Sequence, residues 1–315
     1  MSAFAASESC VDAPLVTAVL VCWNHERFVR LAVLSALQQT YPNIELIVFD
    51  NGSTDGSRQE LEKLHKEHRF TLVLQENVGL VAALNRALAM AHGEFFAVLS
   101  TDDIWLPDKT AIQVRFMMAN PEVPLVSGQI EAIDASGRPT GMVMANRPGE
   151  ATFKDLMSLG NFVHGPTVMC RTQALRSLGG YDSSKRIEDY PLVLKLTYAG
   201  QRVTVLPDVL TYYRRHGGNW STGIEPELYE VGREYRHVPE YRDFYRLHFP
   251  LSFWRLVKDG RKSEALRMLV SEPVPWTWSN VGRGMTRILI PYFLVRFYRR
   301  MRRAGNAPSL PGSER

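Results

Sequence analysis

Four short stretches of this 315-residue chain carry side chains that could handle a charged substrate. Leu99-Ser100-Thr101-Asp102-Asp103-Ile104-Trp105-Leu106-Pro107 sets two adjacent carboxylates directly after an apolar run. Neighbouring anions repel, and a hard divalent cation shared with substrate phosphates can compensate such a pair. The alternative is a solvated turn, with Asp108 capping a helix from Lys109. Glu188-Asp189 opens a helical pattern, where two acids either complement the helix dipole or move protons. Arg214-Arg215-His216 precedes Gly217-Gly218-Asn219. Planar guanidinium forks suit phosphate oxygens, and the glycines would let the loop close; a solvated basic turn is the alternative. Asp50-Asn51-Gly52-Ser53-Thr54-Asp55-Gly56 is a run of turn-formers that by itself reads as a turn or helix cap.

These groups need a scaffold. Residues 15–21 (LVTAVLV) form a β-branched apolar run bounded by Pro14 and the polar Asn24-His25-Glu26, which predicts a buried strand. Helical spacing follows over 28–39, a strand over 44–49, a helix over 57–67, a strand over 70–75, a helix over 81–91 and a strand over 94–99. Strand and helix alternating with short polar loops predict a parallel, doubly wound sheet whose ligands sit at the carboxyl ends of the strands. Asn24, Asp50 and Asp102 all follow strand ends. The alternation fails after about residue 120. Runs over 123–133 and 140–143 flank Ala135-Ser136-Gly137-Arg138 as a hairpin would. Short helices are expected over 152–159, 171–178 and 190–198, and late strands over 201–206 and 211–214.

The order of motifs then becomes specific. Val19-Leu20-Val21-Cys22-Trp23-Asn24-His25-Glu26, Ser35-Ala36-Leu37-Gln38-Gln39-Thr40-Tyr41, Asp50 to Asp55, Asn77-Val78-Gly79, Ala83-Leu84-Asn85, Gly93-Glu94-Phe95 and the 99–107 loop follow one another. Leu178-Gly179-Gly180-Tyr181-Asp182, Ile187-Glu188-Asp189-Tyr190 and Tyr213-Arg214-Arg215-His216 continue the series. Over about residues 15–221 the chain resembles the family 2 glycosyltransferases, inverting enzymes of the GT-A fold. The resemblance implies an α/β, Rossmann-like sandwich with a mainly parallel sheet; beyond it, helical periodicity predicts a C-terminal helical extension. The catalytic domain would span 14–222, divided into a nucleotide-binding half (14–110) and an acceptor half (111–222). A helical extension would follow over 223–304, between disordered ends at 1–13 and 305–315.

The resemblance also implies roles. Asp50 would contact the nucleotide base, suiting the imide of uracil. Asn24, Glu26, Asn51, Asn77, Gly79, Asn85 and Thr101 would line the nucleotide-sugar pocket, with Arg214, Arg215 and His216 reaching the diphosphate. Asp102 would face the ribose and Asp103 the Mg2+ or Mn2+, both standing beside the metal. Asp189 would be the general base, with Glu188 orienting it or binding an acceptor hydroxyl. His164 and Trp105 would stand in the acceptor wall. Two positions depart from the pattern: Ser100 replaces the first acid of D-x-D, which puts metal affinity in question, and Pro191 stands where relatives carry another acid. A proline in the first helical turn is tolerated.

Composition narrows the setting. The chain is 45% hydrophobic and 22% charged, ordinary for a globular protein. Cys10, Cys22 and Cys170 lack C-x-x-C spacing, which argues against a disulfide framework or a thiolate zinc site and fits a reducing cytosol. Residues 1–10 do not read as a signal peptide. No apolar run approaches the ~20 residues that span a bilayer; the stretch 288–298 is broken by Pro291 and Arg296. The net charge of +4 is uneven: residues 229–315 hold 17 Lys and Arg against 8 Asp and Glu. Helical periodicity over 251–270, interrupted near Gly260, and an Arg-rich stretch over 285–303 suit either an element lying on anionic lipid or a helical pair packed on protein. The resemblance implies a nucleotide-diphosphate sugar and a glycan or lipid-linked acceptor as partners, the basic tail adds an anionic surface at the inner face of the cell membrane, and no nucleic acid is expected. Three other classes read differently. A sugar nucleotidyltransferase would carry a glycine-rich basic loop after the first strand, where Cys22-Trp23-Asn24-His25-Glu26 stands. A binding protein without turnover is compatible with Ser100. A dinucleotide oxidoreductase lacks its G-x-G-x-x-G.

Overall fold

The computed structural model describes residues 13–144, 147–219 and 222–271. Its first half is the expected alternation: β1 (Val16–Cys22), α1 (Val29–Leu37), β2 (Ile44–Asn51), α2 (Ser57–Glu67), β3 (Thr71–Gln75), α3 (Leu80–Met90) and β4 (Phe95–Ser100). All seven residues of β1 are buried. A strand covered on both faces needs apolar residues on both, which is why VTAVLVC does not alternate. β1 pairs in parallel with β2 on one side and with β4 on the other. The register sets Cys22 opposite Asp50, Val21 opposite Ser100 and Asn51 opposite Gln75. The carboxyl ends of four strands therefore come level along one edge, where such sheets bind ligands.

The second half runs β5 (Ile104–Trp105), α4 (Lys109–Ala119), β6 (Leu125–Ile133), β7 (Pro139–Met144), β8 (Gly149–Ala151), α5 (Phe153–Leu159), a 3-10 turn (Gly165–Thr167), β9 (Met169–Arg171), α6 (Thr172–Ser177), α7 (Asp189–Tyr198) and β10 (Val203–Arg214). The sheet order is β3-β2-β1-β4-β9-β6-β10-β5, with β7 on β6 and β8 on β10. Pairs are parallel through the first four strands and between β6 and β10; β9 is antiparallel to both neighbours, and β5 to β10. The β6–β7 hairpin forms as expected. Two expectations are corrected, and short strands that were not expected are added. The two late strands are one, β10, broken in register between Val205 and Thr211 rather than in the chain. The three-residue β9 and two-residue β5 are too short to carry a period. Helix α7 begins at Asp189, one residue earlier than the apolar pattern, so the acid itself lies in the first turn.

α8 (Glu225–Arg233) and α9 (Tyr241–Lys258) follow. Gly232 lets them meet, since a Cβ there would lie 2.1 Å from the Phe244 ring. The compact unit that holds the sheet runs through Leu251. The second unit, from Ser252, includes the end of α9 and α10 (Lys262–Ser271), which are separated at Gly260 with φ +78°. The expectations for 1–12 and for the basic stretch beyond 271 lie outside the described residues.

Candidate active site

The site is built from the loops at the carboxyl edge of the sheet. Asn24, just past β1, has φ 60°, a left-handed conformation that asparagine tolerates better than most residues. Its Oδ1 accepts from Thr54 N at 2.7 Å, and its own N–H donates to Ser53 Oγ at 3.0 Å. Glu26 N donates to Asp55 Oδ2 (3.1 Å) while Glu26 Oε2 accepts from Gly56 N (3.1 Å). Asn24 and Glu26 therefore lace the first loop to the second. Asp50 is buried at the end of β2, with Oδ1 accepting from Ser53 N at 3.2 Å. Asn51 Oδ1 accepts from Gln75 Nε2 (2.8 Å) and Val78 N (3.2 Å), and its amide donates to Asn77 Oδ1 (3.3 Å). Asn77 in turn accepts from Gly79 N at 2.9 Å. Gly79 has φ +83°, and the direction of its missing Cβ is open space. Asn85 stands apart from this rim. Its amide brackets the backbone of Tyr181, donating to the carbonyl and accepting from the N–H, both at 2.8 Å.

The aspartate pair sits where β4 ends. Asp102 is 6% and Asp103 1% exposed. Asp102 Oδ2 accepts from His216 Nε2 at 3.1 Å, while its Oδ1 is buried without a hydrogen bond. The tautomer follows from the neighbour: His216 Nδ1 accepts from Gly218 N (3.2 Å), so the ring proton lies on Nε2. Asp103 Oδ1 accepts from Arg214 N at 2.8 Å, and its second oxygen has no hydrogen bond among the described residues. Burial, and then the charge of Asp102, push the Asp103 carboxyl well above its ordinary value. Each acid thus keeps one oxygen for a cation. Among the described residues no three His, Cys, Asp or Glu side chains form a ready-made metal cluster. An ion here would take its remaining ligands from phosphate and water, as Mg2+ commonly does.

The basic triplet divides. Arg214 points inward: it is 1% exposed, donates from Nε to Asp102 O (2.8 Å) and from Nη1 to Asp134 O (3.2 Å), and lies 4.7 Å over the Phe28 ring. It supplies countercharge beneath the aspartates rather than an arm reaching for diphosphate, which corrects the sequence reading. Arg215 is exposed and His216 faces Asp102. Thr101 is buried, donating to Val21 O (3.4 Å) and meeting His25 Nδ1 at 2.8 Å. His25 and Trp23 were not singled out from the sequence. His25 Nε2 lies 4.0 Å from Asp102 Oδ2, and burial lowers its pKa against the pull of that carboxylate. Trp23, 47% exposed, follows the residue paired with Asp50. An exposed tryptophan next to a paired strand end was the available signal.

The acid pair reaches this edge through the 3-10 turn. Asp189 Oδ2 accepts from Gly165 N (3.2 Å) and Oδ1 from Tyr190 N (2.6 Å). Pro166 O accepts from Trp105 Nε1 (2.9 Å) and Thr211 Oγ1 (3.1 Å). The segment that holds Asp189 is thus tied to the strand following Asp103. Burial raises the pKa of Asp189; burial and the charge of Asp189 raise that of Glu188. Burial also takes His164 down to about 4, leaving a neutral imidazole beside the turn. Trp105 is corrected: it is 2% exposed, with Lys109 Nζ 4.1 Å over its ring, and offers no face to an acceptor. Burial draws that lysine down to about 7.

Gly165 fits because it lacks a side chain. A Cβ there would stand 2.8 Å from Glu188 Oε1 and 3.5 Å from Asp189 Oδ2. Gly165→Ala should therefore displace the acid pair and lower kcat about tenfold or more. The thermal midpoint should fall by only a few degrees, since overpacking costs about 1–3 kcal/mol. Steady-state rates beside a melting curve check this.

The sequence model of glycosyl transferase family 2 matches residues 17–179, which span the four level strands, the aspartate pair and the 3-10 turn. The chain belongs to that family. It is a glycosyltransferase. This family 2 enzyme is 28% identical over 258 residues to the putative teichuronic acid biosynthesis glycosyltransferase TuaG of Bacillus subtilis, covering 81% of this chain and 98% of that one. It is 31% identical over 204 residues to the putative glycosyltransferase EpsE of the same organism, covering 62% and 72%. Among solved structures, S. aureus TarS in complex with UDP-GlcNAc matches with a TM-score of 0.60 at 22% identity, over 76% of this chain and 73% of that one. The mannosyltransferase PcManGT of Pyrobaculum calidifontis, in complex with GDP-Man and Mn2+, matches with 0.57 at 20%, over 90% and 83%. At such identities the likeness is one of fold, and that fold is GT-A. Among the described residues no helix is long and apolar enough to cross a membrane.

Proposed function

We propose that this family 2 glycosyltransferase moves one sugar, with inversion, from a nucleotide-diphosphate sugar to a glycan or lipid-linked acceptor in cell-surface polysaccharide synthesis. The observation that carries the reading is the aspartate pair: two adjacent buried acids, each with one oxygen free of hydrogen bonds, at the edge that also holds Asp50. Asp103 and Asp102 would hold the ion, with His216 beside them. Mg2+ or Mn2+ bound there supplies countercharge for the departing diphosphate. Asp50 suits the imide N–H of uracil, and Trp23 offers an exposed ring for the base to lie on. This favours a UDP-sugar. Asn51, Asn77 and Gly79 shape the neighbouring wall, and Gly79 leaves room for the donor to approach closely. Arg215 stands exposed on the loop that would meet the diphosphate.

The chemistry is a single displacement. The acceptor oxygen attacks the anomeric carbon as its proton passes to Asp189, and the bond from that carbon to the diphosphate oxygen breaks on the opposite side. Asp189 accepts from two backbone N–H groups, which favour its ionised form, while burial and the charge of Asp189 push the Glu188 carboxyl up. TuaG is a putative teichuronic acid enzyme, and TarS was solved with UDP-GlcNAc. The likeness to TuaG supports a cell-surface polysaccharide as the product class. The enzyme would make it at the cytoplasmic face, peripheral to the membrane.

Thermal-shift measurements against UDP-, GDP- and dTDP-sugars with Mn2+ test the reading. A UDP-sugar at ~100 times its Kd should stabilise by about 2.7 kcal/mol, a shift of a few degrees. A shift with GDP-sugars alone would remove the base assignment, and no shift with any donor would remove the function.

A further inference from the structure

Lys109 is fully buried in the first turn of α4, close to the turn that holds Asp189, and no carboxylate pairs with it among the described residues. An ammonium is costly to bury, and an apolar side chain of similar length would fill the space more cheaply. Its contacts explain what a lysine adds. Nζ lies 4.1 Å from the centre of the Trp105 ring and donates to Gln113 Oε1 at 2.6 Å. With that oxygen engaged, the Gln113 amide nitrogen is fixed toward Thr167 O (2.7 Å) and Val126 O (3.4 Å). Trp105, under the same ammonium, donates from Nε1 to Pro166 O. Two successive carbonyls of the 3-10 turn are thus gripped by two side chains that Lys109 touches. The residue before them, Gly165, gives its N–H to Asp189 Oδ2.

We propose that Lys109 is a positioning residue for Asp189: through Gln113 and Trp105 it sets the turn that aims the Gly165 N–H at the acid. The inference rests on Asp189 acting as the base. Lys109 touches no reacting atom. A turn free to shift by about an ångström would release the hydrogen bond, and misplacements of that size can cost up to about 100-fold in rate. Losing a donor to a carboxylate also makes its ionised form less favourable. Glu188, Tyr181 and Tyr190, the other titratable groups facing Asp189, keep their places.

The test is Lys109→Met, which fills the volume and covers the indole face without orienting Gln113. The expected result is a fall in kcat of about tenfold, with the donor KM changed less than about twofold. The acid limb of the kcat–pH profile should also move to higher pH. Gln113→Glu should reproduce this, because its carboxylate can accept from Lys109 but cannot donate to Thr167 O; if Lys109→Met fails to fold, Gln113→Glu decides alone. A folded variant with wild-type kcat, or one with lowered kcat and an unmoved acid limb, would overturn the proposal. Failure of the base reading is a distinct outcome, since full transfer by Asp189→Asn would remove it whatever Lys109 does.

Discussion

Asp189→Asn should reduce kcat by about 10²–10⁴-fold, some 3–5 kcal/mol of barrier, while the donor Kd changes less than about twofold. The variant is nearly isosteric, so packing around α7 is preserved. It removes the negative charge that draws the acceptor proton, and one of the two backbone N–H donors, Gly165 or Tyr190, comes to face an amide nitrogen. The sign of the pH effect follows from burial. Because burial raises the Asp189 pKa, the fraction of ionised base, and with it kcat, falls as pH drops through a value above the usual carboxylate range. The same shift means that ionised Asp189 opposes folding above its unfolded pKa. The asparagine variant loses that unfavourable charge but leaves one buried N–H unpaired, so its melting midpoint should stay within a few degrees of wild type at pH 7. Isothermal titration with donor beside transfer assays separates binding from chemistry, and equal loss of both would remove Asp189 from the base role.

Asp103→Ala should abolish metal-dependent donor binding, raising the donor Kd in Mn2+ by about 100-fold while leaving weak metal-independent binding unchanged. Part of any loss would be structural. Alanine leaves the buried Arg214 N–H without the acceptor it now has at 2.8 Å and removes an acid that compensates the guanidinium. Asp103→Asn is the control, since it keeps an oxygen for Arg214 N while giving up the charge a cation needs. If both variants lose the Mn2+ response, the ion depends on this carboxylate. An unchanged metal titration in Asp103→Ala would defeat the assignment.

The sequence carried the scaffold because the signals were local. The run VTAVLVC, the polar stop after it and the following helical spacing lie within one stretch of chain, and so do the aspartates behind β4. What stayed hidden depends on contacts between distant positions. Asn85 has its place in the family's motif series, yet its amide is occupied by the Tyr181 backbone, 96 residues away. Arg214 looked like an arm for phosphate, but its direction is set by contacts with Asp102 O and Phe28, 112 and 186 residues away, which no local pattern announces. Trp105 beside a catalytic loop looked available, and only the fold shows Lys109 and Pro166 covering it. Strand β9 escaped notice because three residues cannot show a period. His25 and Trp23 were legible as polar and aromatic residues at a strand end, but their nearness to Asp102 and Asp50 depends on strand register.

One structure would test the account most directly: the enzyme bound to Mn2+ and to the nucleotide sugar that stabilises it in the panel. The account predicts the ion against the 102–103 carboxylates, the base beside Asp50, and the Asp189 carboxylate on the face of the sugar opposite the diphosphate. An Asp189 carboxylate turned away from the anomeric carbon, or lying on the diphosphate side, would contradict it.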